Sequence, residues 1–418
     1  MKHTRNTTGV RTATRIPLTI LAALVASAGS AAIIPVSPVG GEVVAFVPDA
    51  QKTVMAPPTL ADRIALFRED REKGGKVIRN DKFWRKAKPV VLTWRVTEGE
   101  IGPWKVEVGT DPSLEGADIR YVGTKNDTLK VDGDTVSFTM PRANLEIARG
   151  YYWRVTGRGK LAEGEKKRPV VRSEIASFAT EDRAPRWIAI NGNVANIRDL
   201  GGWRTADGCR VRQGMAFRGQ GLNYNSVTGE APGDNRLTVE DLKYMTRTLG
   251  IRTDLDLRSK GETAGLDESP LGPGVRLILH SSRRYRGIFT DDGKKTMAEN
   301  VRFFCDKANY PIYFHCIGGA DRTGSLAYVL LGTLGVPQHD IETEWESTFY
   351  PYIPDDTHEK EPDFWCRESH LTDGIAKYGD EGDSWQRRCE LYLLDCGVTQ
   401  EEIARLREIL LEPQTTNH

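Results

Sequence analysis

Two patterns of apolar and polar residues divide this chain of 418 residues. Between about residues 88 and 180, short runs of alternating apolar and polar residues are separated by glycine, aspartate and proline, as in β-strands joined by turns. From Ala184 onward, strand-like runs alternate with longer segments of helical periodicity. The first pattern predicts an all-β sandwich. The second predicts an α/β sheet with helices on its faces.

The predicted strands of the first region are 90–96, 104–108, 119–122, 136–140, 151–156 and 173–178. Leu92-Thr93-Trp94 near its start and the run 151–155 near its end resemble a fibronectin type III module. We expect Trp94 and Trp153 to lie in the core of this sandwich rather than to form a platform for a sugar. No residue of this region is predicted to be catalytic.

The second region has three predicted strands and, apart from a helical run from 325 to 331, five predicted helices. The strands are 250–258, 275–280 and 310–314, and the helices are 239–249, 296–308, 341–349, 383–395 and 399–411. Thr399 and Glu402 form a capping box, which fixes the start of the last helix. In a sheet of this kind, ligands bind at the carboxyl ends of the strands.

The first residues have the composition of an export signal. A basic stretch, an apolar run from 16 to 25 and a series of small residues up to Ala31 follow one another. The apolar run is shorter than the roughly 20 residues that span a bilayer. We therefore predict a signal peptide (1–31), a linker with a short helix (32–87), the sandwich (88–181) and the α/β domain (182–418). The expected location is secreted or periplasmic.

Charge and cysteine content narrow the class of protein. Lys+Arg and Asp+Glu both number 58, so no global basic field favours nucleic acid as a partner. No cysteine and histidine spacing indicates a zinc site, and we predict neither a metal nor a cofactor. The pairing of the six cysteines stays open; they are Cys209, Cys305, Cys316, Cys366, Cys389 and Cys396.

One loop carries the most specific chemistry. A hydrophobic run from 310 to 314 enters it, a helical run from 325 to 331 leaves it, and its residues are His315, Cys316, Ile317, Gly318, Gly319, Ala320, Asp321, Arg322, Thr323 and Gly324. A tight loop between a strand and a helix N-terminus binds anions, because unpaired amides and the helix dipole point at one place. Such a field also favours the thiolate of a cysteine, and Arg322 can grip two phosphate oxygens.

The sequence His-Cys-x5-Arg-Thr resembles the signature of the cysteine-dependent protein tyrosine phosphatase superfamily. The aspartate before the arginine and the glycine after the threonine are similar to those of the bacterial tyrosine/lipid phosphatases. Three further segments support this resemblance in the expected order, namely 196–202 (Asn-Ile-Arg-Asp-Leu-Gly-Gly), Phe217-Arg218 and 256–259 (Asp-Leu-Arg-Ser). The resemblance covers about residues 191–411 and implies a phosphatase domain of the same fold.

The resemblance also implies roles for the loop residues. Cys316 would attack phosphorus, while Arg322 and the loop backbone, including that of Ile317, Gly318, Gly319, Ala320 and Gly324, would hold the phosphate oxygens. His315 would orient the loop, and Thr323 would donate a hydrogen bond to the sulfur. Asp321 is the favoured general acid, with Asp291 and Asp292 as alternatives.

Residues outside the loop have two interpretations each. Arg218 and Arg258 are candidates for lining the pocket, although either could instead pair with a carboxylate such as Glu262. Asn196, Arg198 and Asp199 could contact the substrate, but the expected role of this segment is structural. Relatives usually carry a lysine where this chain has Ala320, which speaks against phosphoinositide activity. The basic segment 283–286 could nevertheless recruit a polyanionic substrate, or could be an ordinary solvated loop.

The predicted function is that of a secreted phosphatase that hydrolyses phosphotyrosine-like monoesters of proteins or small molecules through a cysteinyl-phosphate intermediate. One alternative is an inositol-polyphosphate or phosphoinositide phosphatase on the same fold. Another is a binding protein whose phosphatase domain is a dispensable scaffold, and a rhodanese is more remote. The sandwich is expected to offer a surface to a protein or glycan partner.

Overall fold

A computed structural model of the chain describes residues 32–59, 87–97, 102–122, 128–222, 237–349 and 369–413, apart from single gaps at 162, 193 and 264, and scattered residues between 62 and 73. The predicted signal peptide (1–31) and Cys366 lie outside the described residues. Within the described part of the chain, no helix is both long and apolar enough to cross a membrane.

The N-terminal part is built from two β-sheets that share one core. The first sheet has the order β1 (Ile33–Ser37), β3 (Val90–Val96), β7 (Thr135–Met140) and β6 (Leu129–Asp132). The second has the order β2 (Glu42–Val44), β10 (Ala176–Thr180), β8 (Gly150–Arg158), β4 (Trp104–Gly109) and β5 (Asp118–Val122), with β9 (Val170–Arg172) on β8. Trp94 and Trp153 are fully buried between the sheets, so their prediction as core residues is confirmed.

The start of the predicted linker is part of this sandwich, and the prediction for it was wrong. Strand β1 pairs with β3, strand β2 pairs with β10, and helix α1 (Asp49–Met55) follows. These strands have only five and three residues, and their partners lie far away in the sequence, so no local alternation indicates them. The described residues between 62 and 72 are helical and agree with the short helix predicted within 32–87.

The C-terminal part contains the predicted α/β sheet. Its strand order is β11 (Arg186–Trp187), β12 (Arg198–Asp199), β13 (Ala216–Gly219), β16 (Ile312–His315), β14 (Thr253–Asp256) and β15 (Arg276–Leu279). The last four strands are parallel, and β16 lies among them. Side chains of β16 alternate between two cores: Ile312 and Phe314 contribute to one, and Tyr313 contributes to the other. Burial on both faces explains its continuous apolar run.

Helices cover this sheet. They are α2 (Val239–Lys243), which continues as a π-helical turn (Tyr244–Thr248), α3 (Asp291–Phe304), α4 (Asp321–Leu334), α5 (Gln338–Glu346), α6 (Ser369–Ile375), α7 (Trp385–Asp395) and α8 (Gln400–Leu410). The predicted capping box of the last helix is present, because Thr399 accepts from the amide of Glu402. Helix α3 starts five residues before its predicted start at Thr296, because Thr290 caps it and two aspartates fill its first turn.

Specific polar contacts join the sandwich to the α/β sheet. The amide side chain of Asn144 donates to the carbonyl of Ala189 at 3.0 Å and accepts from its N–H at 2.8 Å. Arg186 donates to the carbonyl of Leu145 at 3.0 Å and to the carboxylate of Asp199 at 2.8 Å. Asp199 is adjacent to Arg198 on β12, so the junction reaches the strand that supports the candidate site.

Candidate active site

Cys316 directly follows β16 and is the first of five residues, 316–320, that connect this strand to helix α4, which begins at Asp321. The residue is 3% exposed, whereas Ile317, Gly318 and Ala320 are partly exposed at the surface of the loop. This is the strand, loop and helix arrangement that the apolar pattern predicts, and helix α4 has 14 residues whose dipole points its positive end at the loop.

The loop carbonyls are held from behind. Nδ1 of His315 lies 3.0 Å from the carbonyl oxygen of Cys316. The backbone amide of Gly221 donates to the carbonyl oxygen of Ile317 at 3.0 Å. The side chain of Asn196 donates to the carbonyls of Gly318 and Gly319, each at 3.2 Å. In a trans peptide the N–H points away from the carbonyl. The amides that follow these carbonyls are therefore directed into the loop, where they can bind an anion.

Two glycines make this packing possible. Gly319 has a φ of +68°, and a Cβ placed there would lie 2.2 Å from the carbonyl oxygen of Gly219. A Cβ at Gly324 would lie 2.4 Å from the ring of Trp345. A side chain at the first position would strain the backbone of the loop, and one at the second would push helix α4 off its neighbour.

Arg322 is fixed by a bidentate ion pair with Glu262. Its Nη1 and Nη2 atoms donate to the two carboxylate oxygens at 2.6 and 2.8 Å. The hydrogen bond from Arg322 is the main reason that the pKa of Glu262 is lowered to about 2. Glu262 in turn accepts from the backbone and hydroxyl of Ser259, so the strand end 256–259 orients the arginine of the loop.

A second cluster of charges lies behind the loop, and its members are fully buried. Glu344 accepts from Arg198 at 2.6 Å and from Arg218 at 2.7 Å. Arg218 also donates to the carbonyl of Gly319 at 2.6 Å. Burial and the neighbouring Arg198 cation lower the pKa of Arg218 to about 10, so it stays charged at neutral pH. Two cations and one carboxylate leave this cluster with one uncompensated positive charge.

His315 belongs to a third buried group. Its Nε2 atom forms an ion pair with Asp254 at 2.9 Å, and Asp256 lies 3.8 Å from its Nδ1 atom. Burial alone would lower the pKa of His315, but the charges of Asp256 and Asp254 outweigh it and raise the pKa to about 9. The imidazolium is therefore a donor to the loop rather than a base at neutral pH.

The structure separates the candidate acids. Asp321 accepts hydrogen bonds from Arg284 at 3.0 Å and from the hydroxyl of Tyr285. Asp292 pairs instead with Arg283 at 2.6 Å, and Asp291 lines a shallow surface depression with Cys396. Only Asp321 of the three is part of the loop and helix that carry Cys316.

The predicted pocket-lining role of Arg218 and Arg258 needs correction. Both side chains are buried, with 0% and 1% exposure. Nε of Arg258 donates to Oδ1 of Asp256 at 2.9 Å, and Nη2 of Arg258 donates to Oδ2 at 2.6 Å. Because they face buried carboxylates, these arginines support the loop and its strand from behind. Arg198 and Asp199 have buried ionic partners as well, in keeping with the structural role expected of them.

The remaining predicted residues are also placed. Thr323 is fully buried at the start of α4, and its hydroxyl has no hydrogen-bond partner among the described residues. The predictions missed Glu344 and Asp254 as contributors to the site, and they named the segment 283–286 without the contacts of Arg284 and Tyr285 to Asp321. Charged residues at alternate positions of the buried strand β14 are the one signal that could have indicated Asp254 and Asp256.

The other cysteines differ from Cys316 in their surroundings. The five cysteines that the structure describes are all free thiols. Burial is the main cause that raises the pKa of Cys305 and of Cys396 to about 11, and burial also raises the pKa of Cys389. None of these three lies at a helix N-terminus beside an arginine. Among the described residues, no group of histidine, cysteine and carboxylate side chains is arranged to hold a metal ion.

Inward amides, an arginine fork and a cysteine at one helix N-terminus define an anion site of the phosphatase class. The sequence profile of the tyrosine phosphatase family matches residues 190–412, which is more than half of the chain. The chain therefore belongs to the tyrosine phosphatase family, and it is a phosphoric monoester hydrolase.

Individual relatives are more distant. A proposed tyrosine-protein phosphatase of Cupriavidus necator is 28% identical, in an alignment that covers 40% of this chain and 67% of the relative. The catalytic core of the PP-IP phosphatase Siw14 of S. cerevisiae, solved with citrate, is 16% identical over 34% of this chain and 82% of that one, with a TM-score of 0.22. A second structure of the Siw14 core is 16% identical over 32% of this chain and 84% of that one, with a TM-score of 0.21.

The ionisation of His315 predicts a pH dependence of stability. A pKa raised from 6.5 to about 9 stabilises the folded state fully below about pH 6.5, and this stabilisation is lost as pH rises through about 9. We expect His315→Asn to lower the free energy of unfolding by about 3 kcal/mol at pH 6 and by much less near pH 10. Urea unfolding at both pH values measures this, and an equal loss at both would contradict the assignment.

The pair between Arg322 and Glu262 predicts a kinetic effect. Glu262→Gln leaves Arg322 charged but removes the partner that fixes its fork, so kcat/KM for p-nitrophenyl phosphate should fall about 10- to 100-fold. Steady-state kinetics measure this against Glu268→Gln, an exposed glutamate nearby that should have no effect. Unchanged kinetics in Glu262→Gln would show that Arg322 does not depend on this pair.

Proposed function

We propose that this hydrolase acts on phosphotyrosine-like phosphomonoesters through a cysteinyl-phosphate intermediate on Cys316. The observation that carries the proposal is the loop whose carbonyls are held from behind, so that its amides and the fixed fork of Arg322 converge beside the sulfur. Phosphoryl transfer depends mainly on positioning and on stabilising negative charge, and this arrangement supplies both.

The charges around the loop support a thiolate at Cys316. The cluster of Arg198, Arg218 and Glu344 carries one net positive charge, whereas Arg322 with Glu262 and Arg258 with Asp256 are balanced pairs. A negative sulfur at the end of β16 would compensate the remaining charge.

In the first step, the sulfur attacks phosphorus, an S–P bond forms and the bond from phosphorus to the leaving oxygen breaks. The electron pair stays on that oxygen, which takes a proton from the carboxyl group of Asp321. Loop amides and Arg322 hold the three equatorial oxygens, where negative charge accumulates in the transition state. Asp321 is the proposed acid because it alone of the three candidates belongs to the loop and helix.

In the second step, water attacks phosphorus, an O–P bond forms and the S–P bond breaks. The electron pair returns to the sulfur of Cys316, and the proton of the water goes to the carboxylate of Asp321. The buried hydroxyl of Thr323, which has no partner among the described residues, is available to donate to the departing sulfur. Inorganic phosphate leaves, and the enzyme returns to its starting protonation state.

Kinetics with two leaving groups test this mechanism. The wild-type protein should release phosphate from p-nitrophenyl phosphate in the presence of EDTA, and Cys316→Ser should reduce the rate by about 10⁴-fold because its hydroxyl is a far weaker nucleophile. Asp321→Asn should slow hydrolysis of phenyl phosphate much more than that of p-nitrophenyl phosphate, whose leaving group needs no proton.

Cys396→Ser is the matched control, because this partly exposed thiol lies outside the loop and its replacement should leave the kinetics unchanged. Persistent activity in Cys316→Ser would contradict the covalent mechanism. Equal slowing of both substrates by Asp321→Asn would instead contradict the role of Asp321 as the acid.

We also propose that the protein is exported and that its sandwich is a fibronectin type III-like module for a partner. The basic, apolar and small-residue segments of 1–31 support export, and the two packed sheets support the module. N-terminal sequencing of the protein recovered from the producing cells should begin close to residue 32. Recovery of a chain that still starts at Met1 and remains inside the cells would contradict export.

A further inference from the structure

Both carboxylate oxygens of Asp321 are occupied in this structure. Nη1 of Arg284 donates to Oδ2 at 3.0 Å, and the hydroxyl of Tyr285 donates to Oδ1. The guanidinium of Arg284 also lies over the ring of Tyr285, 5.7 Å from its centroid, and its side chain is 58% exposed. A cation from the segment between β15 and α3 therefore sits next to the proposed acid.

This arrangement conflicts with proton donation. An arginine has only donors and no acceptor, so an O–H on Oδ2 of Asp321 cannot point in the direction that Arg284 occupies. The hydroxyl of Tyr285 can accept a proton from Oδ1, but that proton would then be directed at the tyrosine and not at a substrate. Asp321 can therefore offer a proton to a leaving group from Oδ2 only after Arg284 has moved away.

An anion is the partner that would draw Arg284 away. Arg283, a neighbouring arginine of this segment, pairs instead with Asp292 in the first turn of α3 and not with the loop that carries Cys316. An ion pair as exposed as that of Arg284 and Asp321 is weak and exchanges easily. Ala320, next to Asp321 in the loop, brings no charge of its own. Arg284 is thus an accessible guanidinium, placed beside the phosphate site, whose present partner can be replaced.

We propose that Arg284 is a specificity-determining residue that binds a second anionic group, a carboxylate or phosphate, on the same substrate. The inference rests on the proposed function. Arg284 exchanges Asp321 for the substrate anion, and the freed Oδ2 takes up a proton from solvent, which it then gives to the leaving oxygen. In the hydrolysis step the proton of the attacking water returns to Asp321. Substrates with a second anion are thereby preferred over substrates that carry only the phosphate.

A pair of substrates of nearly equal size tests this preference: 3-carboxyphenyl phosphate and 3-carbamoylphenyl phosphate. The wild-type protein should show a kcat/KM about tenfold higher or more for the carboxylate, as a charge-assisted contact predicts. In Arg284→Gln this ratio should fall to about one, because the carboxylate loses its partner while Asp321 no longer needs to be released. A residue with a merely structural role would lower both rates in parallel and leave the ratio unchanged.

Arg283→Gln is the matched control, since it removes the same charge from the same segment but from a side chain that pairs with Asp292; it should keep the wild-type ratio. A wild-type ratio near one, or the same ratio in Arg284→Gln, overturns the inference. The inference is also overturned if Arg283→Gln lowers the ratio as much as Arg284→Gln does. That result would show that the positive charge of the whole segment, and not Arg284 alone, sets the preference. These results are distinguishable from failure of the proposed function, which would appear as turnover of both substrates in Cys316→Ser.

Discussion

The carbonyl oxygens of residues 316–319 are held from behind by donors that come from three different parts of the chain. His315, Gly221, Asn196 and Arg218 each bind one or more of them. Because each peptide plane is rigid, fixing the carbonyls also fixes the amides on the opposite side. The anion site is therefore a consequence of the scaffold. The strand register, the glycine at 319 and the buried charges all serve to hold one loop in one conformation.

Holding the loop in this way requires charged side chains to be buried, which is energetically unfavourable. Taking ions out of water is unfavourable unless good geometry and further hydrogen bonds compensate for it. Arg198 accordingly binds Glu344, Asn196 and Thr348, and Arg218 binds Glu344 and the loop. The positive charge that remains favours an anion at the loop, as the proposed phosphate site requires. The pair of Arg284 and Asp321 differs in kind, because both side chains are partly exposed and their partners can exchange.

Much of this could be predicted from the sequence because the loop is contiguous. Its cysteine, glycines and arginine follow one another between a buried strand and a helix, so local pattern and chemistry indicate the same site. Arg218 and Arg258 could not be placed in this way: an arginine that binds phosphate and one that binds a buried carboxylate look alike until the carboxylate is known. Glu344 is more than 120 residues from Arg218 in the chain, and only the fold brings them together.

The prediction that the segment from residue 32 onward is a linker was wrong for the same reason. Strands β1 and β2 form only because they pair with strands that are distant in the sequence.

The most direct test of the account is to trap the enzyme during turnover. Acid quenching of the protein mixed with a large excess of p-nitrophenyl phosphate, followed by mass spectrometry of its peptides, locates any phosphoryl group. The account predicts a phosphoryl adduct on the peptide that contains Cys316, carried by the sulfur and lost on treatment that cleaves thiophosphate esters. A phosphoryl group on another residue would contradict it, as would full turnover without any phosphorylated protein at the earliest quench times.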